Sequence, residues 1–390
     1  MKEQNHSINN EYSIKKVIDL NEFEKLRTVW DGLANKQDAY VPFLCFDWFK
    51  IWLDHFLKDD KLLILLLYKG PELASIAPFL IKEEKFKGIN VRKIELAGNV
   101  YSPIRYFLFK EMDNEERESN LSYIFEFFSK FHRQWDIIDL SPIPEENGNF
   151  IALKNAVLKS SFKNAEIFCF GNWYLDGISY QSDKYFSNLS KKERKNIRQD
   201  RNRMEKAGKV VFKMIKNSHE VETYMKTYFE IYEKSWKKRE MAGPGFYLDL
   251  TRCFGEKDWL RLGFVFLSDV PTAVGFAFVC DGLAYFEKVA YDEDYQNLGA
   301  GSVWFMEMIK YVIDVDKVRC IDFLRGDDPY KKHWVPQRRE RKGILVFNNN
   351  LKGNYLSILV QYILPTFNRN KHLRKIKELV SNKVFKIRAA

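Results

Sequence analysis

The stretch from Tyr285 to Ile309 has the residue types and spacing that most directly indicate chemistry. An aromatic run with β character, 285–291, is followed by Gln-x-x-Gly-x-Gly at 296–301 and then by an apolar run with helical spacing. Glycine lets a backbone turn tightly and come close to a ligand. A helix that begins there points its free N–H groups and positive dipole end at the same spot. Strand, turn and helix together predict a pyrophosphate site.

A carboxylate in the middle of this strand is the first candidate for proton transfer. Burial would raise the pKa of Glu287, which suits a general base. A glutamate at a strand edge or in an ion pair fits the sequence equally well. Asp322, on a later predicted strand at 318–324, is a second-rank candidate, because it could simply bind Arg325 or a backbone turn.

A strongly basic helix precedes the glycine turn in the chain. Ser190 and Glu193 have the spacing of a capping box, and Gly208 suits the end of the helix that they open. One interpretation is a solvated helix with partners such as Asp200 and Glu205. The other is an electropositive wall beside an anionic ligand. Its basic residues are Lys191, Lys192, Arg194, Lys195, Arg198, Arg201 and Arg203.

Length and composition indicate two globular domains. The chain has 390 residues, 46% of them hydrophobic and 16% aromatic, with a formal net charge of +10. The five cysteines, 45, 169, 253, 280 and 320, have no CxxC spacing, which indicates reduced thiols rather than disulfides or a metal site. No secretion signal or membrane-spanning run is recognisable. We therefore expect a cytoplasmic protein.

Breaks in the pattern divide the chain into four segments. Residues 1–12 are expected to be a disordered lead-in, and 13–177 a mixed α/β domain. Residues 178–350 hold a predicted β-meander, the glycine turn and its helix, another strand, a short helical piece and a last strand. Residues 351–390 combine an apolar run with many lysines and arginines. This basic amphipathic tail could lie on an anionic membrane or pack on the first domain.

The order of elements in 178–350 resembles the Gcn5-related N-acetyltransferases (GNAT), whose Gln/Arg-x-x-Gly-x-Gly/Ala turn holds the pyrophosphate of acyl-CoA. The chain is more narrowly similar to CelD/BcsL-type acetyltransferases of polysaccharide biosynthesis, through the basic helix, the turn and the segment 322–331. It departs from them at Gly299-Ala300-Gly301, where they often have Ser-Pro-Gly. The relatives imply an α/β (α+β) fold of tandem GNAT-like domains, as in FemABX transferases. Each domain would be a mixed, mainly antiparallel twisted sheet flanked by helices, the first a degenerate copy that shapes the acceptor cleft.

The resemblance assigns roles to individual residues. Tyr330 falls where many GNATs place the tyrosine that protonates the leaving thiolate, although an interfacial aromatic would look the same. Arg325, Asp327 and Lys331 are candidates for substrate binding, and Asp327 is also a second-rank catalytic candidate. No metal is implied. The residues expected to hold acyl-CoA, through the pantetheine or the pyrophosphate, are Lys288, Val289, Ala290, Gln296, Leu298, Gly299, Ala300, Gly301 and Ser302.

Several functions fit this sequence. The first is an acyl-CoA-dependent N-acyltransferase, acetyl or longer, acting on an amino sugar of a surface polysaccharide or a lipid-like amine. It would act in the cytoplasm, with a peripheral position at the inner membrane if the tail binds there. A FemABX-like transferase using aminoacyl-tRNA and a non-catalytic GNAT-fold binding protein are alternatives. A plain nucleic-acid binder fits least, because no recognised module is visible, and the sequence does not identify the acceptor.

Overall fold

The computed structural model describes residues 6–7, 11–36, 41–110, 113–237 and 241–364. Within them, two residues of the expected lead-in, His6 and Ser7, pair with the strand that begins at Tyr12. The strands are β1 His6–Ser7, β2 Tyr12–Val17, β3 Lys61–Lys69, β4 Glu72–Phe86, β5 Ile89–Leu96, β6 Leu108–Phe109, β7 Ile137–Ile143, β8 Lys163–Asp176, β9 Val210–Ile215, β10 Leu260–Leu267, β11 Val270–Cys280, β12 Leu283–Tyr291, β13 Cys320–Arg325 and β14 Gln337–Phe347.

Helices cover both faces of the sheet that these strands form. The short Lys331–Trp334 helix follows β13, and a π-helical turn, Leu359–Ile363, continues the last helix. The α-helices are α1 Leu20–Glu24, α2 Arg27–Ala34, α3 Phe46–Phe56, α4 Asn114–Lys130, α5 Asn149–Lys159, α6 Ser182–Asn188, α7 Lys191–Ala207, α8 Ser218–Glu233, α9 Pro244–Glu256, α10 Ala300–Asp314, α11 Lys331–Trp334 and α12 Leu351–Ile358.

One continuous mixed sheet runs through the molecule, and its pairing repeats. In each half, four antiparallel strands, β2–β5 or β9–β12, are followed by one parallel neighbour, β7 or β13. The next strand of each half then joins the other half, because β8 pairs with β13 and β14 pairs with β7. β8 and β14 also pair with each other along their lengths. The fold is therefore α/β, with two halves of the same strand order that exchange strands.

Apolar side chains fill both sides of this sheet. One cluster joins the halves, since Trp48 of α3 packs its ring against Phe246 and Phe254 of α9, with centroids 6.1 Å away in both cases. Each fully buried aromatic side chain contributes roughly 1.5–3 kcal/mol relative to exposure. On the opposite face of the second half, α10 buries Trp304, whose Nε1 donates to the Gly263 carbonyl at 2.8 Å. This packing fixes the start of α10 beside β12.

The division of the chain at residue 177 remains a prediction with one structural complication. A cut there falls just after β8, Lys163–Asp176, yet β8 lies between β13 and β14 in the sheet. Of the predicted tail, residues 351–364 form α12 and its π-helical turn, and residues 365–390 lie outside the described residues. No helix in the described part is both long and apolar enough to cross a membrane.

Candidate active site

The candidate active site is the gap that opens where two parallel strands stop pairing. β12 and β13 are in register only from Leu283 opposite Cys320 to Tyr285 opposite Asp322. Beyond that point the strands separate around a cavity of about 310 Å³. Its walls include Phe286, Glu287, Lys288 and Val289 of β12, Phe323, Leu324 and Arg325 at the end of β13, and Tyr330 and Lys331.

Local backbone irregularities cause this separation. On β12, Lys288 is opposite Phe276 and Phe286 is opposite Ala277, so that Glu287 is the extra residue of a β-bulge. A bulge bends its strand and re-aims a side chain. On β13, the Leu324 amide donates to Asp322 Oδ1 at 2.6 Å, and Leu324 has a φ of 51°. β13 therefore curls away from β12 at its end.

Tyr330 presents its phenol to this cavity. The side chain packs on Phe305 of α10 with ring centroids 5.5 Å apart, and 38% of the residue is exposed. Burial, with the nearby Asp328 carboxylate adding to it, raises the pKa of Tyr330 above its ordinary value. The hydroxyl is therefore protonated at neutral pH, as a proton donor must be.

Lys331 holds the end of β13 in position. It is only 5% exposed, and its Nζ donates to the carbonyls of Phe323 at 2.9 Å and Arg325 at 2.6 Å. Burial lowers the pKa of Lys331, while the charges of Asp328 and other carboxylates act in the opposite direction. Because its donors are directed to backbone carbonyls, the ammonium shapes the wall of the cavity.

The other predicted polar residues of this segment have different surroundings. Arg325 lines the cavity, and its guanidinium lies 5.1 Å from the Phe170 ring centroid. Asp327 accepts hydrogen bonds from Arg338 at 2.7 and 2.8 Å and from Trp173 Nε1 at 3.1 Å. The Arg338 guanidinium lowers the pKa of Asp327. Asp327 is thus engaged in an ion pair and is not among the residues that line the cavity.

Asp322 faces a second cavity, away from Tyr330. It is 1% exposed and accepts from Asn172 Nδ2 at 2.6 Å and from Arg339 Nη2. This second cavity measures about 260 Å³ and is also lined by Glu146 and Arg341. The structure thus brings Glu287, Tyr330, Lys331 and Arg325 together and leaves Asp322 on the other side of β13.

The glycine turn is a 3₁₀ helix, Glu293–Leu298, that leads into α10. Gly299 has a φ of 80°, a conformation that favours glycine, and α10 begins at Ala300, two residues before the position expected from the sequence. A Cβ on Gly299 would lie 2.6 Å from Asp200, and one on Gly301 would lie 2.8 Å from the Tyr291 ring. These glycines therefore admit neighbouring protein groups as well as forming the turn.

The basic helix α7 packs beside this turn. The charges of α7 fit both interpretations. Arg201 pairs with Glu205 at 2.6 Å and Arg203 pairs with Asp200, as expected for a solvated helix. Arg201 also binds Glu307 of α10. Four exposed cations, by contrast, make no ion pair with the described residues, and they are Lys191, Lys192, Lys195 and Arg198.

Residues far away in the sequence complete the site, and no local pattern predicted them. Val100, Tyr101 and Pro103, from the loop after β5, line the main cavity together with Lys237. The Lys288 Nζ lies 5.2 Å from the Tyr101 ring centroid. A third cavity of about 580 Å³ between α8 and α9 shares Lys237 with the first. It is lined by Tyr228, Phe229, Tyr232, Glu233, Met241, Ala242, Gly243, Pro244 and Tyr247.

No cluster of three or more histidine, cysteine, aspartate and glutamate side chains in the described ranges is arranged to hold a metal ion. The groups gathered at the first cavity are a carboxylate, a protonated phenol and four cations, Lys237, Lys288, Arg325 and Lys331. Together with the start of a 15-residue helix nearby, they suit proton transfer and anion binding.

Comparison with known proteins identifies the second half. Residues 191–332 match the family model of an acetyltransferase (GNAT) domain. No curated protein is detectably similar in sequence. Among solved structures, FemX is similar with a TM-score of 0.56 at 11% identity, covering 85% of this chain and 97% of that chain.

Two further solved structures align over similar lengths. L-PGS from Bacillus licheniformis has a TM-score of 0.47 at 12% identity, covering 82% of this chain and 96% of its own. A tandem GNAT protein from the clavulanic acid biosynthesis pathway has a TM-score of 0.46 at 8% identity, and the alignment covers 85% of this chain and 98% of that chain. The family match identifies residues 191–332 as an acetyltransferase (GNAT) domain, and the likeness to FemX shows that the chain as a whole shares that fold.

Proposed function

We propose that the chain transfers an acyl group from acyl-CoA to an amine, with the acyl thioester in the cavity between β12 and β13. The observation that carries this proposal is the meeting of Glu287 and Tyr330 in that cavity, next to the start of α10. An amine acyl transfer needs a positioned thioester, a route for the amine proton and a donor for the leaving thiolate.

The strand and the helix start would hold the two ends of the donor. The β12–β13 ladder ends at Tyr285, so that residues 288–290 face a gap in which an extended pantetheine chain could pair with the backbone. The pyrophosphate would bind N–H groups within 298–302 at the positive end of α10, apart from that of Gly299, which donates to the Gln296 carbonyl at 3.0 Å. Exposed cations of α7 would add attraction for its charge. The Asp200 carboxylate beside Gly299 opposes this attraction, and its pairing with Arg203 reduces that effect.

The chemistry follows from the two groups in the cavity. As the amine nitrogen forms its bond to the thioester carbonyl carbon, the Glu287 carboxylate accepts the amine proton. The carbon–sulfur bond then breaks, and the Tyr330 hydroxyl gives a proton to the thiolate. Positioned acids and bases of this kind typically contribute about 10²- to 10⁴-fold to a rate. Lys331 is the positioning residue, because it fixes the end of β13.

The acceptor would enter from the cavity between α8 and α9. Its wall is rich in tyrosine, which can stack on a sugar ring or cover an acyl chain while offering hydroxyl groups. This supports an amino sugar of a surface polysaccharide, or a lipid-like amine, as the acceptor. Such acceptors are consistent with our expectation that the enzyme acts in the cytoplasm.

A FemABX-like transferase that uses aminoacyl-tRNA is the second candidate. It is supported by the FemX-like fold and by the exposed cations of α7, which could bind an RNA backbone. A non-catalytic binding protein on the same fold is the third, and unaltered acyl-CoA after long incubation would favour it.

The test is a thiol-release assay with acetyl-CoA and longer acyl-CoAs against a panel of amino sugars and lipid amines. We expect amine-dependent release of CoA thiol, and a loss of about 10²-fold or more in Glu287→Gln. Thiol release that depends on no amine, or transfer only from aminoacyl-tRNA, would contradict the proposal. Glu222→Gln, at an exposed glutamate on α8, is the matched control.

A further inference from the structure

The helix that follows β14 has apolar side chains on two sides. On its inner side Leu356 is fully buried against Val91 and Leu345. On its outer side, Leu351, Tyr355, Ile358 and Tyr362 are 90%, 53%, 50% and 66% exposed. Their spacing of i, i+4, i+7 and i+11 forms a single stripe along a helix. We call these four residues the outer stripe.

The helix is held firmly on the sheet, so the outer stripe has a fixed orientation. Asn350 caps its start by accepting from the Gly353 amide at 2.8 Å, and the same side chain donates to Asp136 at 2.9 Å. Gln361 Nε2 donates to the Asn164 carbonyl at 3.0 Å. A helix that used its only apolar face to pack on the sheet would have a polar outer face. An apolar outer face therefore indicates a second contact.

Two lysines flank the helix that carries the outer stripe, and one of them, Lys352, also lies 4.0 Å from the buried Asp136 carboxylate. Lys352 donates to the Asn90 carbonyl at 2.9 Å and Lys163 to Asn354 Oδ1 at 2.9 Å, and both lysines are exposed. Residues 351–364 contain no aspartate or glutamate. Residues 365–390 contain one glutamate, Glu378, against the basic residues Arg369, Lys371, Arg374, Lys375, Lys377, Lys383, Lys386 and Arg388.

We propose that the outer stripe docks the protein on an anionic membrane surface. Apolar side chains on one face of a helix enter the headgroup boundary, and surrounding cations bind anionic lipids. A second copy of this chain fits less well, because two such faces carry charge of the same sign and would repel. This inference is independent of the reaction assigned to the cavity.

Sedimentation of the full chain with lipid vesicles tests this proposal. We expect binding to vesicles of phosphatidylcholine mixed with phosphatidylglycerol, weak binding to phosphatidylcholine alone, and release at high salt. A triple variant, Leu351→Ser, Tyr355→Ser and Ile358→Ser, should bind at least about tenfold more weakly. The altered side chains are exposed, so the variant should keep its melting temperature.

A matched control changes three exposed apolar residues elsewhere. The control carries Ile151→Ser, Leu158→Ser and Val315→Ser, at residues that are 63%, 59% and 58% exposed. This control should bind anionic vesicles as the unaltered chain does. The proposal is overturned if the unaltered chain ignores anionic vesicles, or if the triple variant binds as well as the control. The proposal is also overturned if self-association, measured by light scattering, is the only property that the triple variant loses.

Discussion

Tyr330 and Glu287 reach one cavity by different routes. Glu287 comes from a bulge on β12, while Tyr330 immediately follows the loop after β13. A bulge adds one residue to a strand and changes which way the side chains point beyond it. The two residues are separated by more than forty positions in the sequence, and only the separation of the strands places them together.

The phenol of Tyr330 should matter for turnover more than for binding. Tyr330→Phe keeps the ring contact with Phe305 and removes the proton donor. We expect kcat to fall about 10²-fold with little change in the KM for acyl-CoA. Steady-state kinetics with a saturating amine checks this, with the exposed Tyr180→Phe as the matched control. An unchanged kcat would remove Tyr330 from the proposed mechanism.

Glu146 should make stability depend on pH. Burial raises its pKa, but the guanidinium groups of Arg341 and Arg339 outweigh burial and leave the pKa below its ordinary value. A lowered pKa in the folded state stabilises the protein above the unfolded value near 4.3, and this contribution disappears as the pH falls through the folded value. Glu146→Gln should therefore cost about 1–3 kcal/mol at neutral pH.

Urea unfolding at a series of pH values measures this effect. The difference in the free energy of unfolding between the unaltered chain and Glu146→Gln should shrink below about pH 4. Glu166→Gln, in the exposed pair with Lys154, is the control and should change stability by less than about 1 kcal/mol. A difference for Glu146→Gln that is constant with pH would mean that its pKa is not lowered.

At the scale of elements, the sequence predicted the order of the strands and helices around the glycine turn but not which residues pack against the turn. The prediction of an α/β GNAT-like fold is confirmed by the family match and the fold. The glycines were explained by a tight turn and by ligand access, whereas Asp200 and Tyr291 also occupy space beside them. Such contacts depend on which helix lies next to α10, and no local pattern in a single sequence encodes that neighbour.

The sides of β13 could be assigned only in part from the sequence. Successive residues of a regular strand point to opposite faces, which separates Asp322 from Phe323. Alternation fails at the end of the strand, where Leu324 has a φ of 51° and Leu324 and Arg325 line the main cavity as Phe323 does. Phe323 lines the main cavity and Asp322 the second one. The loop that carries Tyr101 could not have been placed in the same way, because its position depends on how the two halves meet.

The first turn of α10 should bind the phosphates of the donor. Ser302→Glu puts a negative charge there, which suits the helix itself but repels a pyrophosphate. We expect the Kd for acyl-CoA to rise at least about tenfold while the melting temperature is kept. Gly301 is less suitable for this test, because any side chain there would meet the Tyr291 ring.

Titration calorimetry measures that Kd. Lys310→Glu, at an exposed position further along α10, changes the net charge by more and should leave the affinity unchanged. Equal affinities for Ser302→Glu and the unaltered chain would place the phosphates elsewhere.

For the whole molecule, strand exchange makes the two halves depend on each other. β8 completes the second half beside β13, and β14 completes the first half beside β7. A cut at residue 177 separates β8 from the sheet that it joins. Chain order alone suggested consecutive domains, and strand exchange between them could not be deduced because it is a long-range pairing.

The exchanged strands predict one cooperative unfolding transition. Differential scanning calorimetry of the full chain should show a single peak, because neither half has a complete sheet alone. A fragment of residues 178–364 should lack stable tertiary structure, whereas the same fragment with β8 retained, 163–364, should be more protected in amide exchange. Two separate transitions, or a stable 178–364 fragment, would show that the halves fold independently.

The most direct measurement is a calorimetric titration of the unaltered chain with acetyl-CoA, longer acyl-CoAs and free CoA. The cavity between β12 and β13, next to the start of α10, predicts one binding site per chain for an acyl-CoA. The unaltered chain should therefore bind at least one of these thioesters with a stoichiometry near one. A folded chain that binds none of them, and binds aminoacyl-tRNA instead, would contradict the assignment of acyl-CoA as the donor.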